Sequence, residues 1–110
     1  PVVINFWASW CTTCKDEAAL LGSAEKLWRS KGVVFIGIDS SDKNPNAIAF
    51  AQQYGMDYLS VVDPEGIVAP SWGVTGFPET FFIDRTGHIV SKFVSSIDSE
   101  SLDASINAIL

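Results

Sequence analysis

Cys11 and Cys14 are the two cysteines of this chain, set two residues apart in the stretch 7-WASWCTTCKDE-17. Cysteines at this spacing can serve as a staple, as part of a metal site, or as a dithiol that cycles with its disulfide. A staple here would stabilise little, because closing so short a loop removes little entropy from the unfolded chain. A chain that is 47% hydrophobic has little need of one. A structural zinc site wants four ligands, and the one histidine, His88, lies far along the chain. Copper(I) on the two thiolates stays open as a minor alternative. The redox reading fits best. Cys11 follows an apolar run and opens a helical pattern, where unpaired backbone N–H groups favour a thiolate. Cys14, one turn further on, falls on the same side and should be more sheltered. One accessible low-pKa thiol beside one covered thiol is what disulfide exchange requires. Cys11 is therefore read as nucleophile and Cys14 as resolving thiol.

A carboxyl group joins them. Cys14, Glu17, Leu21, Ala24 and Trp28 step by three and four residues, which makes one inward helical stripe. That places Glu17 one turn below the resolving sulfur in apolar company, where burial would raise its pKa toward neutrality and suit it to proton exchange. The competing reading is an ordinary solvated acid in a first helical turn. Lys15 and Asp16 read as solvated helix charges, and His88 as a surface residue of a hairpin.

The elements that must hold these groups follow from the pattern. Residues 2–8 (VVINFWA) and 33–39 (VVFIGID) are unbroken apolar runs, as in a parallel sheet covered on both faces. A helix over 11–31 ends at Gly32. A second helix, about 45–54, starts at Asn44–Pro45 and stops at Gly55, with Ile48, Phe50 and Ala51 as its apolar side. A short strand spans 58–62, a turn 63–66, and a helical piece 67–72. Strands 80–84 and 88–94 flank Asp84–Gly87 as an antiparallel hairpin. A last helix, 99–109, carries Leu102, Ile106 and Ile109 on one stripe. The order β-α-β-α-β-α-β-β-α predicts an α/β fold with a mixed sheet.

The chain has 110 residues, enough for one domain over 1–110. Its net charge of −6 argues against nucleic acid or an anionic membrane as partner. No apolar run approaches the roughly 18 residues of a membrane span. Pro1 runs straight into the first strand, so the sequence reads as a domain excised from a longer chain, and a missing leader says little about compartment.

Two segments carry a resemblance. The stretch 4-INFWASWCTTCK-15 resembles the W-C-x-x-C-K signature of the thioredoxin superfamily, and 73-GVTGFPETFFID-84 resembles the segment with its cis-proline. Asn5 stands where cytoplasmic thioredoxins carry a buried Asp. About two dozen extra residues separate Asp39 from Pro78, room for an inserted helix and strand over 45–62. The run 79-ETFFIDRTGHI-89 after Pro78 is similar to the TlpA/ResA/CcmG (DsbE) group of extracytoplasmic thiol–disulfide oxidoreductases.

The resemblance implies a thioredoxin-like fold, a cis Phe77–Pro78 bond facing the cysteines, and a redox role for Glu17. It implies a substrate-facing surface of Trp10, Thr12, Thr13, Phe77, Pro78 and Glu79. It further implies protein dithiol or disulfide substrates such as an apocytochrome c, an upstream electron-donor protein, and an extracytoplasmic location compatible with a removed N-terminal tether. No metal or organic cofactor is called for, since the electrons reside on the sulfurs. The dipeptide Thr12–Thr13 departs from the group's usual Gly-Pro, Glu-Pro or Pro-Thr, so no reducing strength carries over, and the N–H that a proline at 13 would lack is free to favour the Cys11 thiolate. Two rivals remain. A non-catalytic binding module would hold a partner or copper with the same dithiol. A peroxiredoxin-type peroxidase would need a P-x-x-x-T-x-x-C loop that does not precede Cys11.

Overall fold

The computed structural model describes all residues, 1–110. Five strands form one sheet in the order β3-β2-β1-β4-β5. Strands β1 (Val2–Trp7), β2 (Val34–Ser40) and β3 (Ser60–Asp63) run parallel. β4 (Glu79–Ile83) is antiparallel to β1, and β5 (Ile89–Val94) is antiparallel to β4. The helices are α1 (Lys15–Trp28), α2 (Asn44–Tyr54), α3 (Val68–Ser71) and α4 (Ser99–Asn107). This is the α/β, thioredoxin-like arrangement expected, with α2 and β3 as the extra pair.

β1 lies at the centre, and its period of two sorts its side chains. Ile4 and Phe6 face one side, where they pack with Ile38, Ala69, Val74 and Phe81. Val3, Asn5 and Trp7 face the other, under α1. There Val3 joins Leu21, Phe35, Phe82, the α4 residues Leu102 and Ile106, and Ile109 just past that helix. Trp7 joins Ala8, Cys11, Cys14, Ala18, Ala47 and Phe50. Asn5 therefore meets the helix that carries Glu17.

Several boundaries differ from expectation. α1 begins at Lys15, not at residue 11, so Cys11 precedes the helix and Cys14 is its N-cap. The Cys14 N–H is turned to Cys11 Sγ at 3.2 Å, which holds 11–14 as a turn. A 3₁₀ turn, Arg29–Lys31, closes the helix ahead of Gly32, whose φ is 81°. β3 starts two residues late because Tyr58 packs inward against both helix-side clusters. In α2 the buried side is Ala47 and Phe50, whereas Ile48 is 58% exposed. Trp7 is fully buried and stacks on Phe50 at 5.3 Å.

The inserted α2 can approach α1 because residue 22 has no side chain. A Cβ on Gly22 would overlap the carbonyl group of Gly55, just past the end of α2. Gly22→Ala should therefore destabilise the fold by about 2 kcal/mol despite alanine's better helix propensity. A lower urea midpoint at unchanged slope would show it, and an unchanged midpoint would mean that α2 shifts without cost.

Candidate active site

The site lies at the C-terminal end of β1, where the chain leaves the sheet and turns into α1. Cys11 and Cys14 are joined as a disulfide, with their Cα atoms 5.3 Å apart. Cys11 is 5% exposed and Cys14 2%. Cys11 is thus less open than expected, because its bond to Cys14 draws it into the Trp7 cluster, yet it remains the more accessible of the two. Cys11 Sγ accepts the Cys14 N–H and lies 3.6 Å from Thr13 Oγ1. The Cys14 N–H can stabilise negative charge on that sulfur once the disulfide opens.

The opposite wall comes from the loop before β4. The Phe77–Pro78 peptide bond is cis. Thr13 Oγ1 donates to the Phe77 carbonyl oxygen at 3.3 Å, so this loop meets the Cys-Thr-Thr-Cys turn directly. Trp10 is 55% exposed and packs edge-on against the Phe77 ring at 5.5 Å. Thr12 and Thr13 are exposed. Trp10, Thr12, Thr13 and Phe77 therefore share one surface around the disulfide, with Pro78 buried behind it.

Glu17 is buried at 1% exposure beneath this surface. Its Oε2 accepts from Asn5 Nδ2 at 2.7 Å, and its Oε1 accepts from the Ile97 N–H at 3.0 Å. Asn5 Nδ2 also donates to Thr80 Oγ1 at 3.1 Å. Burial outweighs the two hydrogen bonds and raises the Glu17 pKa to about 7.

Glu79 is placed differently from a substrate contact. It is 1% exposed, its Oε2 accepts the Thr75 N–H at 3.2 Å, and its Oε1 pairs with Lys92 Nζ at 2.8 Å. Lys92 also donates to the Gly73 carbonyl oxygen at 3.2 Å. The pair ties the 73–76 loop, and so the approach to Phe77, to β4 and β5. Lys92→Met would strand a buried carboxylate. It should cost about 2 kcal/mol, below the roughly 3–5 kcal/mol of a fully buried pair, because Lys92 keeps some solvent contact. Chemical denaturation would read the loss, and an unshifted midpoint would show that water replaces the lysine freely.

Comparison with known proteins agrees with this geometry. A family model described as Redoxin matches residues 1–110. The chain belongs to the Redoxin family. It is 41% identical over 99 residues to the thiol:disulfide interchange protein DsbE of Allochromatium vinosum, covering 89% of this chain and 53% of that protein. It is 27% identical over 108 residues to the thiol-disulfide oxidoreductase ResA of Bacillus anthracis, covering 98% and 62%. This Redoxin domain thus spans little more than half the length of these curated relatives. Among solved structures it is similar to MTB dsbF in mixed oxidised and reduced forms, with TM-score 0.90 and 27% identity, covering 99% of this chain and 80% of that one. It is also similar to a thioredoxin-family thiol:disulfide interchange protein from Chlorobium tepidum, with TM-score 0.87 and 27% identity, covering 98% and 78%.

The Redoxin site also contains groups the sequence reading passed over. Asp42 Oδ2 accepts the Ser9 N–H and its Oδ1 accepts Ser9 Oγ, both at 2.7 Å. Trp10 Nε1 donates to the Ser41 carbonyl oxygen at 3.0 Å. The loop after β2 therefore fixes the two residues that precede Cys11. Asp39, at the end of β2, is buried beside Asp42, and its pKa is raised to about 7 by burial first and then by Asp42. A signal was present: in parallel sheets, functional groups gather beyond the C-terminal ends of the strands, where Asp39–Asp42 stand. On the far side, Ser96 Oγ donates to the Thr13 carbonyl oxygen at 2.6 Å and anchors the turn to the chain after β5.

Proposed function

We propose that this domain is a thiol–disulfide oxidoreductase acting on protein substrates, in the reducing direction. The observation that carries the reading is the Cys11–Cys14 disulfide at the end of β1, with the backbone N–H of Cys14 on the Cys11 sulfur. In the reduced protein, the Cys11 thiolate attacks one sulfur of a substrate disulfide. A mixed disulfide forms, and the other substrate sulfur leaves as a thiolate that takes up a proton. Cys14 gives up its proton and attacks Cys11. The Cys11–Cys14 disulfide forms and the second substrate sulfur leaves and is protonated. Two electrons and two protons pass to the substrate, and a donor dithiol must return them. No metal or organic cofactor enters this sequence. Glu17 supports the second step as the proton acceptor for Cys14. Trp10, Thr12, Thr13 and Phe77 support binding of an extended segment beside the sulfurs, while Pro78 and Glu79 shape the loop that presents Phe77. The DsbE and ResA relatives support an extracytoplasmic setting and a place in cytochrome c maturation, with apocytochrome c as a substrate.

The test is a redox titration. The protein is equilibrated in graded thiol/disulfide buffers and followed by fluorescence of Trp10, which adjoins Cys11. A reversible two-electron transition near or below about −250 mV is expected of a reductase, whereas a value near about −120 mV would make the domain an oxidant. Absence of any such transition would leave a binding module.

A further inference from the structure

A concavity lies beside Trp10, the residue that precedes Cys11. It is a groove of about 390 Å³ between the start of α1 and the face of α2 that carries Asn46, Phe50, Gln53 and Tyr54. Trp10, Phe50 and Tyr54 form its apolar parts, and Lys15, Asn46 and Gln53 its polar ones. Trp10 is the shared wall. One edge of its ring meets Phe77, and its indole nitrogen is held by Ser41. A polypeptide crossing the disulfide at Phe77 therefore runs over Trp10 into this groove. α2, which forms the outer wall, belongs to the inserted segment.

The groove has a charge preference. Lys15 is the one basic residue that lines the groove; like Lys31, Lys43 and Arg85 it enters no ion pair, whereas Lys26, Arg29 and Lys92 are each paired with a carboxylate. Asp42, which holds the lining residue Ser9, has its oxygens engaged by Ser9 and by the Lys43 N–H. Asp16 lies next to Lys15 on α1 and is exposed. Elsewhere the surface of a chain with net charge −6 repels anions, so an unpaired ammonium one residue past Cys14, in the groove that Trp10 walls, is the group that can discriminate. Asn46 and Gln53 add amide donors for the same acceptor.

We propose that this groove selects polypeptide substrates that carry a carboxylate next to the reacting cysteine, with Lys15 as the residue that reads it. The inference rests on the oxidoreductase reading above and names its substrate class.

Three disulfide-linked peptides that differ only in Glu, Gln or Lys beside the cysteine would be compared by kcat/KM for reduction. The Glu peptide should exceed the Gln peptide by about threefold, the range of one partly solvated ion pair, and the Lys peptide should fall below it. The order should flatten in high salt. Lys15→Glu should invert it, and Gln53→Lys should steepen it. Because the readout is a ratio against the Gln peptide, any effect of Lys15 on Cys11 itself cancels. Equal rates for the three peptides in the wild type, or an order unchanged in Lys15→Glu, would overturn the proposal and leave the oxidoreductase standing. Failure of every peptide to be reduced would remove both.

Discussion

Cys14→Ser should give a protein that reacts once with a substrate disulfide and then stops. Turnover should fall by about a thousandfold or more, as when a residue that acts as a unit with the nucleophile is lost. The Cys11–substrate mixed disulfide should persist and be visible as a stoichiometric gain in mass. The reason is the unequal setting of the two sulfurs. Cys11 lies outside α1, receives the Cys14 N–H and faces Thr13 Oγ1. The Cys14 N–H favours negative charge on Cys11 both when it attacks and when it leaves. Cys14 is the N-cap of α1 and is the more buried. Serine differs from cysteine by a single atom and fits the same space, so the variant should fold. Cys11→Ser should lose turnover equally but accumulate no adduct, because the remaining thiol lies beneath the turn. If Cys11→Ser were the variant that trapped substrate, the two roles would be exchanged.

The parts of this site that sequence made legible are those encoded by neighbours in the chain. The apolar run of β1, the Cys-x-x-Cys spacing and the three–four stripe of α1 each state a local geometry. The structure brings Cys14, Glu17, Leu21 and Ala24 to one buried face accordingly. Resemblance supplied the cis Phe77–Pro78 bond, which no local rule distinguishes from a proline that opens a strand. What stayed hidden depends on partners far apart. Glu79 reads as a strand-start residue until β5 brings Lys92 to it. Asn5 reads as a polar interruption of an apolar strand until the pleat turns it toward Glu17 on one side and Thr80 of β4 on the other. Asp42 looks like one more surface acid, but its place after β2 lets it hold Ser9. The helix start was misplaced for a related reason. Helical periodicity continues back to Cys11, but the Cys14 N–H is bound to sulfur, and the repeating helix begins only after it. Ile48 shows the limit of periodicity in α2, since β3 is a short edge strand and leaves that side of the helix uncovered.

Glu17→Gln should remove a pH-dependent step near neutrality and should do so without unfolding the protein. Glu17 carries a pKa of about 7 in the folded disulfide form against 4.5 as the ordinary value, with burial as the main cause. Between about pH 4.5 and 7 the folded state therefore holds a proton that the unfolded chain has released. Stability contributed by this group is full below pH 4.5 and declines as pH rises to 7, by roughly 3 kcal/mol at most. Asp39, also raised to about 7, adds a decline of the same sign. Glutamine abolishes the first share and leaves the second, so the variant should lose less stability than the wild type between pH 5 and pH 8. The pocket can accept the amide. Asn5 Oδ1 has no partner, so a turned Asn5 side chain can receive the new Gln N–H, and the Thr80 hydroxyl can then donate to the same oxygen. Gln Oε1 keeps the Ile97 N–H. In exchange kinetics, the wild-type rate of resolving the mixed disulfide should rise with a midpoint near pH 7, as the carboxylate becomes available to take the Cys14 proton. In Glu17→Gln that rise should move toward the ordinary thiol range near pH 8.5, with a rate at pH 7 lower by about tenfold or more. A variant with the wild-type midpoint would show that solvent deprotonates Cys14 directly. Glu17 would then be a structural acceptor for Asn5 and Ile97, with its proton tied to stability alone.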